Sequence, residues 1–365
     1  MLSSCLEKVM RCTVLNGVHG RRVNEVTDPL VSVCIPSFNA EATIGATLRS
    51  VIGQSYSRIR IVVVDNNSTD ATAEVVRQFR DPRIELHCNS VNLGGEGNFN
   101  RCIELATGKY TAIYHADDIY EPDIVAEEVR FLEAHSNASA VFTEAWIIND
   151  NCERTGFITQ PSSLSAEGVL YDFQAVLKAV LRHSNFLICP SVMAPTEVYQ
   201  RHVKRWRGEI FGSSADLDVW LRMLQFGPVG ILPRKLMQYR VSSHQGSAKV
   251  RLETRRAAFF SVVDHYLAIP EVRKLLSDHD LMNYERLESR DCVMRAANAM
   301  IVGDSISAAK LCPDIMTANA LRAAVATRRG LAVWVLGAFI RASLALELQP
   351  VASSVLLLAK KFSQK

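Results

Sequence analysis

The sequence lacks closely spaced cysteines. Nine stand at positions 5, 12, 34, 88, 102, 152, 189, 292 and 312, an odd number with no CxxC spacing. Cys34 falls in an apolar segment, where a free thiol behaves as a small hydrophobe, so a reducing cytosol is expected rather than secretion. A charge excess is also missing. With 41 Lys and Arg against 38 Asp and Glu, the formal net charge of +3 gives no polyanion-binding signature, and no nucleic-acid partner is expected. The first residues hold no apolar run of signal-peptide length, because Glu7, Lys8 and Arg11 interrupt it. Residues 1–29 are therefore read as a loosely ordered N-terminal extension. No GxGxxG follows the first apolar strand and no GxxxxGK[ST] occurs anywhere, which removes the main support for dinucleotide-Rossmann and P-loop readings.

What is present is the ordinary material of a folded α/β chain. Its 365 residues are 48% hydrophobic and 22% charged, enough for one sizeable domain with an appendage, or for two domains. Val31, Val33 and Ile35 predict a first strand ending at Pro36. Asn39 is a candidate cap for a helix whose Ile44, Leu48, Val51 and Ile52 form one stripe. Ile61 to Val64 predicts a second strand ending on Asp65. The loop Asn66 to Asp70 then caps a helix carrying Val75, Val76 and Phe79. Ile84 to Cys88 is a third strand, and the Gly-rich turn Asn92 to Gly97 opens a helix that Gly108 terminates. Continuous apolar strands alternating with helices imply βαβ units and a parallel sheet covered on both faces.

The stretch Tyr110 to Asp123 organises the rest. A buried strand over Tyr110 to Tyr114 stops on Asp117 and Asp118, and Pro122 with Asp123 opens a helix bearing Val125, Val129 and Leu132. Two carboxylates at such a junction either face water or hold a cation, since neither can be desolvated without partners. A solvated loop with an aspartate helix cap is the alternative. Ligands of open α/β sheets bind beyond the carboxyl ends of the strands. Pro36 to Asn39, Asp65 to Asn67, and Asp117 with Asp118 place polar groups at three such ends, which points to a ligand site on that edge.

The ordered series V-S-V-C-I-P-S-F-N-A-E, I-V-V-V-D-N-N-S-T-D, N-L-G-G-E-G-N-F-N-R and G-K-Y-T-A-I-Y-H-A-D-D resembles the family 2 glycosyltransferases, over about Val31 to Ser247. The resemblance implies a GT-A fold, a nucleotide-diphosphate sugar donor and inversion at the anomeric centre. It implies that Pro36, Phe38, Asn39 and Glu41 line the nucleotide pocket, with Gly94 among the nucleotide-sugar-binding residues. Asp65 would accept a hydrogen bond from the base, uracil N3–H being the expected donor. Asp117 would contact the ribose or the metal's shell, and Asp118 would ligate the Mg²⁺ or Mn²⁺ that bridges the diphosphate, as hard cations prefer carboxylate oxygen. Three departures stand out: Phe38 where Tyr is commoner, Phe99 where Arg is frequent, and His115-Ala116-Asp117-Asp118 in place of D-x-D-D. His115 is expected as a structural hydrogen-bonding residue rather than a ligand.

In the second half, S-A-D-L-D-V-W-L-R resembles the family's E-D-x-D-x-W-x-R segment. Asp216 matches the catalytic base, Ala215 replaces the preceding acid, and Asp218 is expected to be structural. The alternative is that Asp216 caps the helix and Asp218 complements its dipole. His244 follows the Tyr239-Arg240 pair, a position from which family members complete the metal site; a loop histidine is the alternative. Gln200, Arg205 and Trp206 do not form the QxxRW signature of processive synthases, because Arg205 is five residues from Gln200. A transferase adding one sugar is expected, acting on a hydroxyl of a saccharide or lipid-linked acceptor in cell-surface polysaccharide synthesis. A silent nucleotide-sugar-binding module and a sugar-phosphate nucleotidyltransferase are the competing classes, the latter lacking its Gly-rich basic triphosphate loop.

Residues 30–250 are thus expected to form the GT-A domain, and 251–365 a helical C-terminal appendage, with helices over Ala257 to Leu267, Tyr284 to Val302 and Ala318 to Ala326. Leu331 to Ala359 is strongly apolar, but Arg341, Glu347, Gln349 and Pro350 divide it into pieces too short to span a bilayer. It reads either as a helix pair packed on the domain or as an interfacial anchor giving a cytoplasmic enzyme peripheral contact with the membrane.

Overall fold

The computed structural model describes residues 28–164, 170–241, 252–311, 321 and 327–362. Its first half is the expected run of alternating elements: β1 (Val31–Ser37), α1 (Ile44–Ile52), β2 (Ile59–Asp65), α2 (Thr72–Arg77), β3 (Ile84–Cys88), α3 (Gly94–Leu105), β4 (Tyr110–Ile113), β5 (Ile119–Tyr120) and α4 (Ile124–Ala134). There follow β6 (Ala140–Ile148), β7 (Arg154–Ile158), β8 (Leu170–Tyr171), α5 (Phe173–His183), β9 (Val192–Pro195), α6 (Gly208–Phe211), α7 (Ala215–Met223) and β10 (Val229–Arg240). The strands form one sheet in the order β3-β2-β1-β4-β9-β6-β10-β5, with β7 paired to β6 and β8 to β10. β1 runs parallel to β2 and β4, and β2 parallel to β3, while β9 enters antiparallel to β4.

The strands are apolar because both faces are covered. Val33, Ile35, Ile61 and Val63 pack with Ile44, Leu48 and Val51 of α1, whereas Cys34, Val62 and Val64 point the other way, onto Cys102 and Ala106 at α3. Each fully buried Leu or Ile in such a layer stabilises the fold by roughly 1.5–3 kcal/mol. Pairing of Ser37 with Asp65 levels the ends of β1 and β2, so the loops after them face each other. Gly108 turns the chain into β4 at φ +90°, where a Cβ would lie 2.6 Å from the Leu30 carbonyl oxygen, so the position is restricted to glycine.

A second core around Phe142, Trp206 and Trp220 takes in Phe259, Phe260, Val262, Val263 and Tyr266 of the helix Ala258–Leu267. The long helix Asp278–Ile301 has a full capping box, Ser277 with Asp280. It packs along α5 and carries Ser305–Leu311, Arg328–Ala345 and Gln349–Phe362 on a smaller core of Val293, Ala296, Met300, Ile340 and Leu356. The last apolar stretch is therefore a helix pair, broken near Glu347, which has φ 55°. No helix among the described residues is long and apolar enough to cross a membrane. The expected helix over 318–326 lies outside the described residues apart from residue 321.

Local expectations fail in three places. Asn39 caps no helix: it adopts φ 48°, and its side-chain oxygen accepts the Thr69 N–H at 2.9 Å. Asp123 gives no side-chain cap to α4 and accepts from the Ser55 hydroxyl instead. The apolar runs Ala140 to Phe142 and Ala145 to Ile148, which read in the sequence as two short strands, are one, β6, because Thr143 and Glu144 are buried within it.

Candidate active site

Three strand ends and one helix start supply the site. After β1, Phe38 is 48% exposed, offering a free ring face beyond Pro36. Across from it, the Asp65 carboxylate is buried and accepts the Ser68 N–H at 3.0 Å and the Ser68 hydroxyl at 2.5 Å. The Glu41 carboxylate accepts the Ala71 N–H at 2.9 Å and Asp70 accepts the Glu41 N–H at 3.1 Å, so the two loops are laced together. A lattice of Asn66, Asn89, Asn92 and Asn98 fixes the turn before α3: Asn66 donates to the Gly94 carbonyl, and Gly94, at φ 75°, donates to Asn92.

The acidic turn after β4 is built from beneath. Tyr114 and Tyr120 stack at 3.8 Å between ring centres, and the Tyr114 hydroxyl donates to Glu128 at 3.0 Å. The Thr47 hydroxyl sits 3.0 and 2.8 Å from the Ala116 and Asp118 carbonyls. From the end of β10, the Arg240 guanidinium reaches the carbonyls of Asp117, Asn149 and Asp150, and the Arg240 N–H donates to Asp118 Oδ1 at 2.8 Å.

Asp118 is 0% exposed, and its other oxygen, Oδ2, has no hydrogen-bond partner among the described residues. Burial, and then the charge of Asp117, push its carboxyl well above the usual range. Nε2 of His115 is likewise buried and without a partner, and burial lowers that imidazole. The His115 ring thus makes no structural hydrogen bond through Nε2; its backbone does, the N–H donating to the Tyr120 hydroxyl and the carbonyl accepting the Asp118 N–H. One ligand atom each of His115, Asp117 and Asp118 lies within 4.8 Å of the others. Two orphaned buried atoms, one on an imidazole and one on a carboxylate, beside a second carboxylate, that of Asp117, make an N/O donor set that fits a divalent cation. His244 lies outside the described residues.

Asp216 opens α7. Its Oδ1 accepts the Leu217 N–H at 2.7 Å and its Oδ2 the Asn185 amide at 3.0 Å. Burial pushes its carboxyl up to about 6 against these two hydrogen bonds. Asp216 is not the cap residue of α7, a position Ser214 holds, although it takes one N–H of the first turn. Asp218, two residues on, is fully buried and takes Arg207, Arg222 and the Tyr266 hydroxyl. It is a buried ion-pair centre locking α7 to α6 and to the helix Ala258–Leu267, not a surface charge on a helix dipole.

His115 and Asp216 line one cavity of about 380 Å³, with Phe99, Asn185, Trp206 and Tyr239. Phe99 lies 5.1 Å from Trp206 and 5.6 Å from His115, ring to ring, so it walls the cavity. Burial, together with the charges of Asp118, Asp117 and Asp216, pushes Tyr239 up to about 12, placing it among all three acids. Gln200 donates to the Ile103 and Ala106 carbonyls and stays outside this cavity. Asn185, Tyr239 and Arg240 were not singled out from sequence as members of the site. For Asn185 no local pattern marks the role, whereas the asparagines at 66, 89, 92 and 98 recur visibly at the strand ends.

The pattern of Glycosyl transferase family 2 matches residues 32–170, the segment that holds the acidic turn. The chain belongs to that family. This family 2 glycosyltransferase is 27% identical to the putative glycosyltransferase EpsE of Bacillus subtilis over 257 residues, 69% of this chain and 86% of EpsE. It is 35% identical over 124 residues to the UDP-Glc:alpha-D-GlcNAc-diphosphoundecaprenol beta-1,3-glucosyltransferase WfgD of Escherichia coli, covering 34% of this chain and 49% of WfgD. Among solved structures, S. aureus TarS 1–349 in complex with UDP-GlcNAc superposes with a TM-score of 0.60 at 15% identity, over 87% of this chain and 92% of that one. At that identity the likeness speaks for the fold, which is GT-A.

Proposed function

We propose that this glycosyltransferase is inverting, metal-dependent and non-processive, moving one sugar from a UDP-sugar to a hydroxyl of a saccharide or lipid-linked saccharide. The observation that carries this is the orphaned, buried Asp118 oxygen, grouped with His115 and Asp117, while His115 also shares a cavity with Asp216. The donor and acceptor classes rest on WfgD, whose name states both, and a role in cell-surface polysaccharide synthesis rests on the likeness to the putative teichuronic acid biosynthesis glycosyltransferase TuaG of Bacillus subtilis.

Asp118, Asp117 and His115 would hold Mn²⁺ or Mg²⁺, whose charge, when bound, offsets that of the departing diphosphate. Pro36, Phe38, Asn39, Glu41, Asp65 and Gly94 make the nucleotide pocket: Phe38 stacks on the base and Asp65 keeps acceptor capacity for its N–H. Asp216, at about 6, is ionised at neutral pH and takes the acceptor hydroxyl's proton. The acceptor oxygen bonds to the anomeric carbon as the bond from that carbon to the diphosphate oxygen breaks on the opposite face. Asn185 holds the carboxylate while it receives the proton. The enzyme works at the inner face of the membrane, touching it peripherally through its C-terminal helices.

Asp216→Asn tests the chemistry. It should abolish release of UDP in the presence of donor and acceptor, by about 100-fold or more, while binding UDP as before. Retained turnover would remove Asp216 as base, and release of pyrophosphate would indicate a nucleotidyltransferase.

A further inference from the structure

A cavity of about 830 Å³ lies away from the acidic turn, between α5, the helix Asp278–Ile301 and the helix Arg328–Ala345. Arg182, Arg286, Arg290, Arg328 and Arg329 line it, with Trp334 at its wall, and no lining residue is acidic. None of the five arginines is in an ion pair among the described residues; four are exposed, and Arg286 is half-buried, whereas the half-buried Arg60, Arg83, Arg101, Arg207, Arg222 and Arg295 are all paired. Among the described residues Arg286 donates only to the Asn283 side-chain Oδ1 and the Met282 sulfur, and its buried Nε has no partner.

Arg328 and Arg329 are the first two residues after the Thr327 cap, whose hydroxyl accepts the Gly330 N–H at 2.9 Å. Two cations in the first turn oppose the helix dipole, so helix stability does not account for them. The same helix presents Leu331, Val335 and Phe339 to solvent in a single stripe, with Leu331 50% exposed, and Leu346 just past its end is 67% exposed. The next helix adds Val351, Val355 and Leu358, again turned away from the small core that Ala352 and Leu356 fill. Between 327 and 362 there are five Lys or Arg and one acid.

We propose that this groove is a phosphate-binding site for the headgroups of an anionic phospholipid surface, with the exposed apolar stripe seated at the acyl boundary. Arginine forks match phosphate oxygens, and an unpaired basic cluster beside a row of exposed apolar side chains complements a negatively charged leaflet. The proposal rests on the peripheral-contact part of the function above and not on its chemistry. It names the side chains that carry the contact and the charge they select.

The test is co-sedimentation of the full-length protein with phosphatidylcholine vesicles, with and without 30% phosphatidylglycerol. Wild type should sediment only with the anionic vesicles, and less as salt rises. Arg328→Gln/Arg329→Gln, at exposed positions outside any buried contact, should weaken partitioning by about 25-fold, roughly fivefold per arginine. Leu331→Ser/Val335→Ser should weaken it as well. Both variants should bind UDP and use a soluble acceptor as wild type does, which separates failure here from failure of the transferase reading. Absence of wild-type binding, equal binding to neutral vesicles, or undiminished binding by the arginine variant would overturn the proposal. Arginine-dependent binding of inorganic pyrophosphate without vesicle binding would also overturn it, and assign the groove to a soluble phosphate.

Discussion

Replacing Asp216 by asparagine removes a charge that the fold holds at a cost, and the pH dependence of that cost follows from its surroundings. The carboxyl titrates near 6 in the folded protein against 3.8 for the free group. That shift corresponds to about 3 kcal/mol of linkage. Water reaches Asp216 through the cavity, so about 2 kcal/mol is the better expectation. A raised folded value means the associated stability is fully present below pH 3.8 and is lost as pH rises through 6. Wild type should lose this amount between pH 4 and pH 7.5, and Asp216→Asn should not. Asparagine has a single carbonyl oxygen for the Leu217 and Asn185 donors, which lowers the variant's stability by a constant amount across the range. Urea unfolding of both proteins from pH 4 to 8 should therefore show the variant gaining about 2 kcal/mol on wild type, mostly between pH 4 and 6.5. A difference that stays flat over this range would refute the burial argument.

Asp218→Ala leaves Arg207 and Arg222 facing each other without a counter-charge and should cost about 3–5 kcal/mol, seen as a large fall in the urea midpoint. Arg240→Met strips the donors from the Asp117, Asn149 and Asp150 carbonyls and should cost roughly 3 kcal/mol by the same measurement, with weaker UDP binding because the acidic turn loses its clamp. Asn185→Ala removes a hydrogen bond that favours the ionised form of Asp216, so the acid limb of kcat/KM should move to higher pH with the plateau reduced less. An unmoved limb would take Asn185 out of its positioning role.

What could be read from the chain depended on the range of the interaction. The apolar runs Val31 to Ile35 and Ile61 to Val64 carry their own period, so the sheet and its ligand-bearing edge are visible in the linear sequence. Asn39 and Asp123 look like local caps, yet both side chains are taken by residues from other segments, Thr69 and Ser55. Thr143 and Glu144 look like a break, yet burial carries β6 through them. Asp218 shows the same limit. A dipole argument is local, whereas its actual partners, Arg207 and Tyr266, lie 11 and 48 residues away. The pairing of Asp216 with Asn185, 31 residues back, exists only once α5 and α7 are docked. The orphaned oxygen of Asp118 is a property of packing, with no counterpart in sequence.

The most direct test of the metal-dependent nucleotide-sugar site is calorimetric titration of UDP into wild type and Asp118→Asn, each with and without Mn²⁺. Asparagine keeps an acceptor for the Arg240 N–H, so the acidic turn should stay folded. Wild type should bind UDP tightly only with Mn²⁺, and the variant should lose that dependence together with most of the affinity. Equal, metal-independent binding by both proteins, or no binding by folded wild type, would contradict it.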